Sequence, residues 1–188
     1  MLPASEAPSL RDLTCVTLSS VCRSQVRQSE GDAYVTSDDR HASAPAVPPP
    51  AGPQRPTIAK AIRQGDLLFT SGQTAVGPDG VLIASGRLGD QIDLETGRRC
   101  AWQCAANVLE AVRSELGSLE PVAEVVKLTV FVASAPGFIE QHLVADGATA
   151  YVQHVLGADA GTHARSAIGV AELPTGSPVE VEAVIRLS

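Results

Sequence analysis

Aromatic side chains are scarce. Trp102, Tyr34, Tyr151, Phe69, Phe131 and Phe138 are the only six among 188 residues. So few rings build no stacking platform along a single-stranded nucleic acid, and any core has to be aliphatic. Basic residues are short too, 14 Lys and Arg against 21 Asp and Glu, for a net charge of -7 and a pI near 5.0. A general nucleic-acid binder needs a basic face to neutralise phosphates, so nucleic acid is not the expected partner. No run of 18 apolar residues occurs, so neither a membrane span nor a membrane partner is expected. G-x-S-x-G, Walker and G-x-G-x-x-G patterns are missing, leaving a nucleophile elbow or a nucleotide loop without support.

Cysteines number four, Cys15, Cys22, Cys100 and Cys104. No further Cys or His stands near them at ligand spacing, and His142, His154 and His163 form no metal-ligand spacing either. Core packing of Cys100 and Cys104, four apart in a helical pattern, is preferred over a metal site. Together these point to a reducing, cytoplasmic setting without a metal site.

What is present is unevenly spread. Residues 1–55 hold five basic and six acidic residues, which leaves nine basic and fifteen acidic to residues 56–188. The first stretch is rich in Ser, Pro and Asp, lacks a sustained apolar period and ends in the proline-rich run 42–53. It reads as a mostly disordered extension ahead of a working domain at 56–188. Glu6 and Asp12 interrupt any secretory pattern, and Asp32, Asp38 and Asp39 do not suit an acid-poor transit peptide.

Within 56–188, Thr57–Arg63 and Leu67–Gln73 predict a hairpin around Gly65, and a turn at Gly77–Gly80 leads to a weaker strand at Val81–Ser85. From Thr96 to Leu116, Ala101, Cys104, Ala105, Val108, Val112 and Leu116 recur at helical steps, with Gly117 as a stop. Val125–Val132 alternates as a strand, with Val126, Leu128, Val130 and Val132 on one face. A second helix is expected from Pro136 to Leu156, its stripe being Val144, Ala148, Tyr151, Val152 and Val155. Strands at Ser166–Leu173 and Val179–Leu187 follow. The fold class is therefore α+β, in the order βββαβαββ, with both helices covering one face of a mixed sheet.

Three features could carry chemistry. Arg165 heads a strand, where its planar fork suits a carboxylate, or it makes a surface ion pair with Glu172 or Asp159. Glu180 and Glu182 share a strand face about 7 Å apart, which fits acid–base work with one raised pKa or simply a solvated face. Ser71-Gly72-Gln73 ends a buried-looking strand, where backbone N–H groups beside Gly approach a ligand closely or the strand merely terminates.

Gly65–Gln73 (GDLLFTSGQ), Val126–Ser134 (VKLTVFVAS), Ala164–Pro174 (ARSAIGVAELP) and Val179–Val184 (VEVEAV) together resemble the RidA/YjgF family of enamine/imine deaminases. The likeness covers residues 56–188 and is nearest a poorly characterised branch of the superfamily. It implies a chorismate-mutase-like fold and a homotrimer with a ligand cleft at each subunit interface. It further implies that Arg165 grips a substrate carboxylate, that the Gly72 N–H with Ser71 of a neighbouring subunit assists, and that Glu180 orders the hydrolytic water. The implied reaction turns reactive 2-imino or 2-enamino acids into 2-oxo acids and ammonia without a cofactor. That chemistry is compatible with the residues, because an imine is already electrophilic and needs chiefly a held carboxylate and a placed water.

Two positions depart from the family pattern. An aromatic residue of the first strand is missing, with Ile58 nearest its place, and Ala167 stands where a cysteine is common. They motivate an alternative, a non-catalytic binder of small carboxylate metabolites. Ribonuclease activity, ascribed to some relatives, fits least, given the acidic domain and the lack of a catalytic His pair.

Overall fold

The computed structural model describes residues 36–44 and 57–188. The chain divides into two units, Met1–Gln54 and Arg55–Ser188. In the first, the described segment holds the short exposed helix α1 (Ser37–Ala42). A capping box closes it: the Asp39 N–H donates to the Thr36 hydroxyl at 3.1 Å, and the Thr36 N–H donates to the Asp39 carboxylate at 3.0 Å. The expectation of disorder for the rest of residues 1–55 lies outside the described residues, as do Cys15 and Cys22.

The second unit is α+β, one mixed sheet with two helices: β1 (Ala61–Gln64), β2 (Leu67–Thr70), β3 (Gln73–Thr74), α2 (Leu94–Leu116), β4 (Val122–Ala133), α3 (Gln141–Gly161), β5 (Ala164–Val170) and β6 (Val179–Leu187). The strands lie in the order β1-β2-β6-β4-β5, with β3 also on β6; only β4 and β5 run parallel. The order βββαβαββ is the expected one, but its third strand is not. That strand is Gln73–Thr74, while Val81–Ser85 keeps a single bridge, Val76 to Leu82. Val81 and Ile83 are exposed, so no apolar burial draws that stretch into the sheet.

Alternation decides which face is buried. Along β6, Val179, Val181, Ala183, Ile185 and Leu187 are buried beneath the helices, and Glu180, Glu182 and Val184 look the other way. In β4 the alternation slips. Register shifts at Val122/Glu124 and Val125/Lys127 insert bulges, so Val125 is buried and Val126 is exposed, contrary to the simple period. Leu128, Val130 and Val132 then rejoin the helix-covered face.

Helix α2 starts where the Asp93 carboxylate accepts the Thr96 N–H at 2.7 Å, and ends at Gly117 in the left-handed region. Helix α3 begins at Gln141 rather than Pro136, because Pro136-Gly137 forms a turn with Gly137 at φ 86. Its regular geometry breaks at Gly157, just past Leu156. Gly147, an unpromising residue inside a helix, allows α3 to approach α2 closely: a Cβ there would overlap the Arg98 carbonyl. Cys100 and Cys104 are free and buried in the core. Burial pushes the Cys100 thiol up to about 11 and the Cys104 thiol well above its usual value, so both stay protonated packing groups. Among the described residues, no helix is long and apolar enough to cross a membrane.

Candidate functional site

One extra residue separates β2 from β3. Phe69 pairs with Val184 and Gln73 with Val181, so four steps on one strand match three on the other. Ser71 turns toward the segment before β1, its N–H donating to the Lys60 carbonyl at 2.9 Å and its hydroxyl to the Ala59 carbonyl at 2.7 Å. Gly72 is thereby laid against the side chain of Glu180, which pairs with Thr74 across β3 and β6. Ser71, Gly72 and Glu180 thus form one local group within the subunit.

Glu180 titrates above its ordinary value. Burial is the larger cause and the negative charge of Glu182 the smaller. The like-charge effect anticipated from the spacing is present, but second. A cavity of about 100 Å³ opens on the same sheet face, lined by Phe69, Thr70, Thr129, Glu182, Ala183 and Val184.

Arg165 lies elsewhere. Its pairing partner on β4 is Leu128, which faces the helices and pairs in turn with Ala183. Arg165 therefore emerges on the helix side of the sheet, and Glu180 on the open side. Strands β6 and β4 separate β3 from β5, a span of roughly 14 Å at ordinary strand spacing. A single subunit does not bring Arg165 to Gly72 or Glu180.

What surrounds Arg165 is helix α3. Nη1 donates to Asp146 Oδ1 at 3.0 Å and to Thr149 Oγ1 at 2.9 Å, while Nη2 donates to the His142 carbonyl at 3.2 Å. The ion-pair partner is thus Asp146, not Glu172 or Asp159; Glu172 lies 3.8 Å from Arg87 instead. A guanidinium has five N–H donors. Three are used, and the Nε–H and one Nη2–H have no partner among the described residues. Those two belong to adjacent nitrogens of the fork, Nε and Nη2, and remain to donate to a carboxylate. The side chain is 23% exposed, accessible yet restrained.

Thr149 also meets His163, Oγ1 to Nε2 at 3.1 Å, and His163 Nδ1 lies 2.6 Å from the Gly161 carbonyl. Burial holds His163 below its usual value, with the Arg165 charge adding to that. Sequence spacing alone does not place Asp146, Thr149 or His163 beside one another around Arg165. Their signal is faint: two polar residues three apart on one helix, and a His two before the Arg on a strand. Ile58 is 79% exposed, outside any strand, and Ala167 pairs with Val130 and packs against the core. Among the described residues, no three His, Cys, Asp or Glu side chains gather as metal ligands would.

A family model described as Endoribonuclease L-PSP matches residues 54–187. The chain belongs to this family, the YjgF/RidA family. Among its relatives, Protein TCP17 of Trypanosoma cruzi is 42% identical over 124 residues, 66% of this chain and 77% of that protein. Protein HMF1 of Saccharomyces cerevisiae is 32% identical over 130 residues, 68% of this chain and 82% of that protein. The structure is similar to Atu1372 of Agrobacterium tumefaciens, of unknown function, with a TM-score of 0.67 and 39% identity over 70% of this chain and 82% of that one. The chorismate-mutase-like α+β fold expected for a YjgF/RidA protein is the one observed.

Proposed function

We propose that this YjgF/RidA protein is a cofactor-free deaminase that hydrolyses reactive 2-imino and 2-enamino acids to 2-oxo acids and ammonia. The observation that carries the reading is Arg165: three bonds from α3 restrain its guanidinium, and its Nε–H and one Nη2–H stay available for a substrate carboxylate. With the carboxylate held, water adds to C2 of the imine. The carbinolamine then collapses to the 2-oxo acid as nitrogen leaves with its protons as ammonia. Glu180, half-buried and titrating above its usual range, is suited to take the proton from that water and return it to nitrogen.

Because Arg165 and Glu180 sit on opposite sides of one sheet, the cleft in this reading is completed by a second copy, which contributes the Ser71-Gly72 segment. The open sheet face supports assembly, since Ile62, Phe69 and Ile168 are 59%, 44% and 42% exposed on it. A homotrimer is the assembly proposed. The buried thiols of Cys100 and Cys104 suit a cytoplasmic location.

The test is to generate 2-iminopropanoate or 2-iminobutanoate in situ and to follow 2-oxo acid release by the parent and by Arg165→Ala. Acceleration over buffer that is lost in the variant supports the reading; no acceleration by a folded trimer overturns it for these substrates. A second reading rests on the exposed Ile58 and the core-facing Ala167, which leave the cleft without the family's aromatic and thiol. In it the protein only binds small carboxylates. Calorimetry showing Arg165-dependent binding of a 2-oxo acid, with no imine turnover, selects that reading.

A further inference from the structure

Arg165 is a long side chain on an edge strand, and such a chain loses considerable rotamer freedom when it is aimed at one ligand. Three groups around it form a continuous path. The Asp146 carboxylate accepts from Nη1 at 3.0 Å, and the Thr149 hydroxyl accepts from the same nitrogen at 2.9 Å. The Thr149 hydroxyl then reaches His163 Nε2 at 3.1 Å, and His163 Nδ1 reaches the Gly161 carbonyl at 2.6 Å. A carbonyl only accepts, so Nδ1 carries a proton. In the neutral ring Nε2 is then an acceptor, and the Thr149 O–H donates to it. Its oxygen lone pairs are thereby turned toward Arg165. Burial and the nearby Arg165 charge both favour that neutral ring.

We propose that Thr149, Asp146 and His163 are positioning residues for Arg165: the Gly161 carbonyl sets the tautomer of His163, His163 sets the direction of the Thr149 hydroxyl, and Thr149 with Asp146 turns the Nε–Nη2 edge outward to the substrate carboxylate. The inference deepens the deaminase reading and rests on it for the identity of the ligand. It also accounts for an acidic residue beside the carboxylate grip. Asp146 is taken up by Nη1, so it orients the fork rather than competing for the free edge.

The experiment compares Thr149→Val, which keeps shape and branching but removes the hydroxyl, with Thr149→Ser, which restores it. Two quantities are read: KM and kcat on in-situ 2-iminobutanoate, and the Arg165 guanidinium signals in nitrogen-15 NMR, which report rotation about the Cζ–N bonds. Thr149→Val is expected to raise KM about tenfold, the worth of one or two hydrogen bonds to a charged group. It should move kcat much less and average the guanidinium signals, and Thr149→Ser should return both toward the parent. A Thr149→Val protein matching the parent in KM and guanidinium signals overturns the proposal. So does a Thr149→Ser protein no better than Thr149→Val. If the parent turns over no imine, the deaminase reading fails by itself, and the guanidinium signals still decide whether Thr149 aims Arg165. Thermal melts of each variant separate these effects from loss of fold.

Discussion

The Glu180 carboxylate occupies the space that a side chain at position 72 would need. A Cβ on Gly72 would overlap Glu180 Oε1 and come within 2.7 Å of its Cδ. The atoms in the way are the far end of a flexible side chain, so Gly72→Ala is accommodated by turning Glu180 aside rather than by moving backbone. We expect a melting temperature within a few degrees of the parent's, because a shift of that size corresponds to about 1 kcal/mol in a domain of this length. Turnover should fall by at least tenfold, since Glu180 is the residue displaced. A melt combined with a rate measurement checks the split, and an active Gly72→Ala protein would show that the Glu180 position does not matter.

Arg165→Lys keeps the charge but not the fork. An ammonium cannot take Asp146 and Thr149 on one nitrogen while presenting a second edge to a carboxylate. Losing one charge-assisted bond of about 1.5–3 kcal/mol corresponds to roughly 10- to 100-fold in affinity. The expected outcome is a KM raised by that factor for a 2-imino acid, or an equally weakened 2-oxo acid in calorimetry. A variant binding as tightly as the parent would place the carboxylate elsewhere.

Much of this architecture is legible residue by residue. Val179–Leu187 alternates without interruption and is found with those ends and that buried face, because a strand with one face on a core has a strict two-residue period. Helix α2 is equally plain, since its apolar spacing and Gly117 stop agree with its geometry. Failures cluster where a local device overrides periodicity. Bulges in β4 exchange Val126 for Val125, and Pro136-Gly137 makes a turn where Pro suggested a helix start. The two-residue β3 is too short to show any period. For the site, the group of Ser71, Gly72 and Glu180 depends on strand pairing between residues about a hundred positions apart, and single-sequence spacing cannot express that. For Arg165 the residues around it leave a carboxylate grip and a surface ion pair equally open; the face it takes follows from register with Leu128, and its partner Asp146 from the docking of α3.

Gly147 gives a prediction about stability. Its missing Cβ is where α3 meets the backbone of α2 at Arg98, with the Arg98 Cα only 3.1 Å from the position a Cβ would take. Backbone, unlike a glutamate tip, cannot swing away, so Gly147→Ala forces the helices apart. Overpacking of this kind costs about 1–3 kcal/mol, more than alanine's better helix propensity returns. Chemical denaturation should show a lower midpoint with an unchanged slope. An equal or raised midpoint would mean that the helices have room to separate.

Glu180 and Glu182 give a prediction with a defined sign. Glu180 titrates above the ordinary carboxylate value of 4.5, first through burial and then through the charge of Glu182. The folded protein therefore holds that proton more tightly than the unfolded chain does. Stability from this group is fully present below about pH 4.5 and is lost as the pH rises through the folded-state value. Glu180→Gln keeps the shape but cannot ionise, so its melting temperature should exceed the parent's at pH 7, and the difference should shrink toward pH 4. Glu182→Gln removes only the smaller cause, so the Glu180 value should fall partway toward normal. If the ionised Glu180 activates the water, the acid limb of the deaminase pH–rate profile then moves to lower pH, while the rate at neutral pH changes little. An acid limb that stays in place in Glu182→Gln, or moves to higher pH, would assign that limb to another group.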